Sequence, residues 1–258
     1  MKVISINCQK GGVGKSSSSI SIASGFAREL PDKKILLLDL DSQCNTSQVY
    51  NIDLSNSYNT IHDVLIKGLD IKKAIYQVKD NLYIIPGSPN MAHCDIELTD
   101  VGKEYKLKEC LQGLEGLVDY VFIDNPPALN TISINSLTAA NHLIIPCQAD
   151  IFSLDAVVKI NDTLNTIRTY TNKDLNVLGL LLTRYNKRSV LTRQMKDVFK
   201  ETAENMGTKL YDTEIVESVV MREANAVRQD IFTYSPKSKV AQCYSKIVKD
   251  ILEDLKAR

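Results

Sequence analysis

The chain of 258 residues has no net charge to show: Lys and Arg total 31, and so do Asp and Glu. That balance excludes the overall basic field of a dedicated nucleic-acid or membrane binder and leaves room only for a local patch. None of the six cysteines (Cys8, Cys44, Cys94, Cys110, Cys147 and Cys243) forms a Cys-x-x-Cys pair. Their scatter argues against a disulfide framework and fits free thiols in a reducing cytoplasm. No apolar run reaches the length of a signal-peptide core or a membrane span; Ile35–Leu38 and Val177–Leu182 are strand-sized. Internal repeats, low-complexity tracts and linkers are also missing. A cytoplasmic globular protein is expected, with 44% apolar and 24% charged residues.

Short apolar runs alternate with stretches of helical period. Strands are expected at Val3–Asn7, Ile35–Leu40, Leu82–Pro86, Tyr120–Asp124, His142–Pro146, Val177–Thr183 and Lys209–Thr213. Several are continuously apolar, as suits parallel strands buried on both faces. Helices are expected at Ser16–Leu30, where Ile20, Ala23, Phe26, Ala27 and Leu30 share one face before Pro31-Asp32, and at about Lys103–Leu114, Thr131–Ala140, Ser153–Thr171, Ser189–Asn205 and Lys239–Leu255. The alternation predicts an α/β fold with a doubly wound, mostly parallel sheet flanked by helices. A single domain over 1–258 is expected. Its first strand begins at residue 2 or 3, without a separate N-terminal DNA-binding domain.

Val3–Asn7 feeds directly into Lys10-Gly11-Gly12-Val13-Gly14-Lys15-Ser16, which opens into the first amphipathic helix. Strand, glycine loop and helix in that order make a phosphate loop, with ATP as the expected ligand. Without side chains, Gly11, Gly12 and Gly14 let backbone N–H groups turn inward around phosphate oxygens. The helix N-terminus points its positive end at the same anion. Lys15 is placed to reach the β- and γ-phosphates, the Ser16 hydroxyl to hold Mg²⁺, and Ser17 to bond an α-phosphate oxygen. Two more strands end in acids: Asp39 and Asp41 after Ile35–Leu38, and Asp124 after Val121–Ile123. With Ser16 they form a hard-cation set at the strand tips, where ligands collect in open α/β sheets.

The second lysine in the loop, Lys10, makes it similar to the deviant Walker A motif of the ParA/Soj and MinD group of ATPases. Asp39-Leu40-Asp41-Ser42-Gln43-Cys44-Asn45 resembles that group's Asp-x-Asp-Pro-Gln-Gly-Asn segment, with Ser42 in place of proline and Cys44 in place of glycine. This loop is therefore expected to bend differently. Asp124-Asn125-Pro126-Pro127 resembles its Walker B and switch segment. The stretches Asn130–Ala140, His142–Gln148, Val177–Tyr185 and Tyr234–Lys239 continue the likeness across nearly the whole chain, and the ParA/Soj branch fits best. The resemblance implies a homodimer closed face to face on ATP, in which Lys10 reaches the phosphates of the partner subunit. It further implies that Asp41 positions the attacking water, that Asp39 supports the metal and that Asp124 accepts from Mg²⁺-bound water. The base would sit between the loop after Val177–Thr183 and Ile215–Ser218, a segment without the group's proline and arginine. No cysteine loop of the iron–sulfur reductase relatives is present.

ParA/Soj proteins bind DNA non-specifically and answer to a ParB-type centromere-binding protein, which would associate this chain with the nucleoid. A matching basic run exists: Arg184, Lys187, Arg188, Arg193, Lys196 and Lys200 stand against the single acid Asp197, with Arg222 and Arg228 as extensions. Two alternatives are a MinD-like membrane-surface ATPase and a nucleotide-binding scaffold that does not depend on turnover. The first would need an amphipathic tail as a membrane anchor. None is expected, because Ile247, Ile251 and Leu255 read as the buried stripe of the last core helix.

Overall fold

The computed structural model describes residues 1–52 and 58–257. Seven strands form one sheet: β1 Lys2–Ile6, β2 Ile35–Asp39, β3 Tyr76–Lys79, β4 Leu82–Ile85, β5 Tyr120–Asp124, β6 His142–Cys147 and β7 Asn176–Leu182. Their order is β3-β4-β2-β5-β1-β6-β7, and every pairing is parallel except β3 with β4. The helices are α1 Lys15–Glu29, α2 Asn45–Val49, α3 Ile61–Lys67, α4 Cys94–Glu97, α5 Lys106–Gln112, α6 Thr131–Ala139, α7 Ile151–Tyr170, α8 Val190–Asn205, α9 Val219–Ala226, α10 Ile231–Tyr234 and α11 Lys239–Lys256.

The strand pleat sends alternate residues to opposite faces, and both faces are covered. Leu36, Leu38, Val121 and Ile123 join a core with residues of α3, α5, α6, α7 and α8. Ile35, Leu37, Phe122 and Ile144 join a second core with α1, α10 and α11. There Phe26 meets Phe122 edge to face, with ring centroids 4.8 Å apart. The stripe of α11, including Ile247, Ile251 and Leu255, is fully used in this packing. Side chains cap the long helices: Asn130, Asp150, Ser189 and Ser238 each accept from a backbone N–H in the first turn of α6, α7, α8 and α11.

Six expected strands correspond to β1, β2, β4, β5, β6 and β7, with ends shifted by at most one residue. Lys209–Thr213 does not form the seventh. It meets β7 through one parallel bridge, Leu180 to Leu210. Tyr211 N–H bonds Leu180 O, but the next link from β7 is Ile215 N–H to Leu182 O, so Asp212, Thr213 and Glu214 bulge out of the ladder. The close pass requires Gly179, where a Cβ would stand 2.9 Å from Lys209 O and 2.8 Å from the Tyr211 ring. Lys103–Leu114 also divides, into a 3₁₀ turn at Lys103–Tyr105 followed by α5.

Candidate active site at the strand tips

The carboxyl ends of β1, β2 and β5 lie side by side, so that Asp39 pairs across the ladder with Asp124, and Asp124 with Ile6. From β1 the chain turns through the glycine loop into α1. Gly12 and Gly14 hold φ of 76° and 80°, the left-handed region in which a side chain is strained. A Cβ on Gly11 or Gly12 would meet nothing within 4 Å. The space it would enter is a cavity of about 600 Å³, lined by Gly11, Gly12, Gly14, Lys15, Ser16, Ser17 and Asp41 among others. Gly14 caps α1 without a side-chain hydrogen bond, so the first amides of the helix face this cavity uncovered. Val13 does not: its side chain is buried in the core, and its carbonyl accepts from Thr183 Oγ1 at 2.7 Å, pinning the loop to the end of β7.

The two lysines of the loop diverge. Lys15 is 7% exposed, and its ammonium donates to Lys10 O at 2.8 Å. Burial pulls its pKa below the usual lysine range, against the opposing influence of nearby Cys8, Asp124 and Asp41. Lys10 turns away from the cavity. Its Nζ lies 2.8 and 2.9 Å from the two Asp150 oxygens and 3.0 Å from Ser153 Oγ, at the N-terminus of α7.

The carboxylates divide as well. Asp41 lines the cavity and accepts from Gln43 N–H at 3.0 Å. Asp124 is fully buried; it accepts from Thr46 Oγ1 at 2.7 Å and Ser19 Oγ at 3.1 Å. Asp39 is equally buried, its oxygens taken by Ser47 N–H, Ser47 Oγ–H and Asp41 N–H. Burial first, and then the neighbouring negative charge, raises both carboxyl groups above the ordinary range, while their hydrogen bonds pull the other way. Asp39 thus reaches the cavity only through the backbone of Asp41 and the start of α2. It shapes the loop that carries Asp41, a more remote role than the metal contact expected of it. Ser16, with Asp124 behind it, is the pair placed to hold a divalent cation through its hydroxyl and through cation-bound water. Such a cation would compensate the crowded carboxylates, so the residues present fit Mg²⁺ with a triphosphate.

Pro127, in the switch segment named from the sequence, lines the cavity as well. Other lining residues escaped the sequence reading: Asn45 and Gln48 on α2, Asn225 and Arg228. Arg228, grouped above with the basic run, faces this cavity from a left-handed backbone position, φ 55°. An adjoining space of about 180 Å³ shares Gly12, Gly14 and Ser17 and brings together Thr183 and Arg184 with Ile215, Val216, Glu217 and Ser218, the two segments expected around the base.

The basic run is scattered by its ion pairs. Arg184 pairs with Glu217 at 3.0 Å, and Lys187 and Lys196 converge on Glu214 at 3.1 and 2.5 Å. Arg188, Arg193, Lys200 and Arg222 have no acidic partner among the described residues, though Arg193 donates to Lys187 O. No described helix is long and apolar enough to cross a membrane.

The AAA domain family model matches residues 1–177. The sporulation initiation inhibitor protein Soj of Bacillus subtilis is 31% identical over 97% of this chain and 98% of its own length. The chromosome partitioning protein ParA of Caulobacter vibrioides is 30% identical over 98% of this chain and 94% of its own. A solved structure of cobyrinic acid a,c-diamide synthase from Mycobacterium smegmatis, with an ATP analogue and magnesium bound, superposes with a TM-score of 0.83 at 26% identity, covering 100% of this chain and 96% of that one. With a glycine loop, a two-lysine signature and paired strand-tip acids behind these likenesses, the chain belongs to the ParA/Soj family of P-loop ATPases, which use ATP with Mg²⁺.

Proposed function

We propose that this protein is a DNA-partitioning ATPase that dimerises on ATP, binds DNA non-specifically as the closed dimer and is reset by hydrolysis. The observation that carries this reading is the divergence of the two lysines. Lys15 stays in its own cavity, whereas Lys10 leaves it and rests on Asp150, with its side chain only partly exposed. A lysine conserving a local role would face its own phosphates. One held outward by a partly buried ion pair with Asp150 and a hydrogen bond to Ser153, outside its own phosphate cavity, is available to a polyanion in a second copy once those contacts exchange.

In the closed dimer, the loop amides and Lys15 hold the β- and γ-phosphates, and Ser17 bonds an α-phosphate oxygen. Ser16 and Asp124 retain Mg²⁺, which neutralises developing charge on the phosphoryl oxygens when bound. Asp41 orients a water in line with the γ-phosphorus, and Asp39 keeps Asp41 in place through the bonded start of α2. Lys10 of the partner subunit and Lys15 stabilise charge on the leaving oxygen. Asp41 orients rather than strongly activates its water, so turnover is slow and the protein works as a switch. A ParB-type protein accelerates it. Arg188, Arg193, Lys200 and Arg222 supply the free cations for DNA phosphates. The MinD-like membrane reading gains no support, since the apolar stripe of α11 is already buried.

Sizing the protein with ADP and with ATP tests this, using Asp41→Ala to slow hydrolysis. A dimer is expected with ATP alone. Lys10→Ala should remove the dimer while leaving nucleotide binding measurable by calorimetry. A monomer that ignores ATP although it binds it would overturn the sandwich and leave only a nucleotide-binding ATPase.

A further inference from the structure

A second constellation of metal-ligating side chains lies away from the nucleotide cavity, where α3 packs on α4. His62, near the start of α3, directs Nε2 to Glu97 Oε2 at 2.7 Å. Cys94 opens α4, and its thiol, the His62 ring nitrogen and the Glu97 carboxylate all lie within 4.8 Å of one another. Met91 Sδ stands 3.7 Å from Cys94 Sγ, adding a thioether beside the thiol. Cys94 and His62 are buried, while the Glu97 side chain is 37% exposed and gives the cluster its opening to solvent.

We propose that His62, Cys94 and Glu97 form a three-ligand zinc site, with the fourth position open to water. Zinc bonds to imidazole nitrogen, thiolate sulfur and carboxylate oxygen run from about 2.0 to 2.3 Å, which for a tetrahedral ion sets ligand atoms roughly 3.3 to 3.7 Å apart. The observed separations, 2.7 Å for the His62–Glu97 contact and at most 4.8 Å overall, bracket that spacing. Small side-chain rotations about a site already held by two helices therefore suffice. The donor set also selects the ion. A thiolate and an imidazole suit zinc, while Mg²⁺ and Ca²⁺ demand oxygen ligands. Charge balances: one thiolate and one carboxylate neutralise the dication. On binding, the Cys94 thiol releases its proton to solvent, and His62 offers an unprotonated Nε2 while its remaining ring proton sits on Nδ1.

The location gives the site leverage on the switch loop. The 3₁₀ turn Pro89–His93 that leads into α4 begins just after Gly87, and a Cβ at Gly87 would lie 3.1 Å from Asp39 Cγ and 3.2 Å from Asp41 O. A zinc ion tying α3 to α4 stiffens the wall on which that loop rests.

The test uses the whole protein without nucleotide, in excess Mg²⁺, so the outcome does not depend on the proposed partition function. Zinc is titrated against a chromophoric chelator, and zinc-edge X-ray absorption reads the ligand shell. One zinc per chain is expected, with sulfur at about 2.3 Å. Cys94→Ser and Glu97→Gln should each weaken binding by at least about tenfold. Glu97→Gln alters a partly exposed side chain, so it remains informative even if the buried Cys94→Ser variant fails to fold. Failure to bind zinc, a shell without sulfur, or affinity unchanged in Glu97→Gln would overturn the site.

Discussion

Charge is handled in opposite ways at the strand tips and on the face that runs from Arg184 to Arg222. At the strand tips three buried groups are pushed toward their neutral forms: burial raises Asp39 and Asp124 and lowers Lys15. On the other face Glu214 and Lys196 are pushed toward their charged forms. Burial alone would raise the Glu214 carboxyl, but hydrogen bonds from Lys196 and Lys187 reverse this and hold it below its ordinary value, while Lys196 is raised. Unresolved charge marks a place where a ligand of mixed charge, a cation with a polyphosphate, gains most by arriving. Resolved charge marks a surface whose attraction for phosphate is already partly spent on its own acids.

The largest effect that would sharpen this contrast is expected from Lys15→Ala. Removing a preorganised cation from a water-poor site should cost roughly 100- to 1,000-fold in ATP hydrolysis, as loss of comparable transition-state donors does. A steady-state phosphate-release assay reads it. A loss of only a few-fold would mean that the buried ammonium is a structural tie to Lys10 O and that the strand-tip charges are resolved after all.

On the face that runs from Arg184 to Arg222, Glu214→Gln should release Lys187 and Lys196 together. Each phosphate contact contributes about 0.9 to the slope of log affinity against log salt. Retention of the ATP-bound protein on arbitrary duplex DNA should therefore become steeper by about 0.9 to 1.8 and stronger at low salt. An unchanged slope would show that these lysines point away from DNA, leaving Arg188, Arg193, Lys200 and Arg222 to act without them.

The same contrast explains what could be read from the residues alone. The phosphate loop is contiguous, and its geometry comes from backbone, so Gly12, Gly14 and Lys15 carry their roles in their spacing. The strands β2 and β5 are continuously apolar and end in acids, so their burial and the convergence of Asp39 with Asp124 follow from pattern. The face built from α8 and the Asp212–Glu217 segment is not contiguous. Glu214 lies 18 residues from Lys196, on a bulge that follows the close pass of Tyr211 over Gly179. No local periodicity announces that pairing, and the run of basic residues therefore reads as more exposed charge than it is. Arg228 escaped for the same reason: it reaches the cavity from the end of α9, by a turn with positive φ. Edge strand β3 escaped because Tyr76-Gln77-Val78-Lys79 is only half-buried and pairs antiparallel.

The smallest expected effect lies within the strand-tip region, at Cys44. This residue stands where the family resemblance puts glycine, and it adopts φ 53° and ψ 31°, the left-handed backbone that glycine enters without strain. The loop keeps a glycine-like bend despite the replacement, held by Cys44 N–H to Asp41 O at 2.9 Å and Gln48 N–H to Cys44 O at 3.0 Å. Two variants separate backbone strain from the burial of the thiol, which is 1% exposed. Cys44→Ala loses the buried sulfur and keeps the strain, which for a non-glycine residue is about 1–2 kcal/mol. Cys44→Gly loses the same sulfur and removes the strain, at a cost of about 0.5–1 kcal/mol in extra unfolded-chain freedom. Urea denaturation should accordingly find the glycine variant more stable than the alanine variant, by up to about 1.5 kcal/mol. The reverse order would mean that the Asp41 loop is not left-handed in solution, and that the strand-tip acids are arranged by something other than this bend.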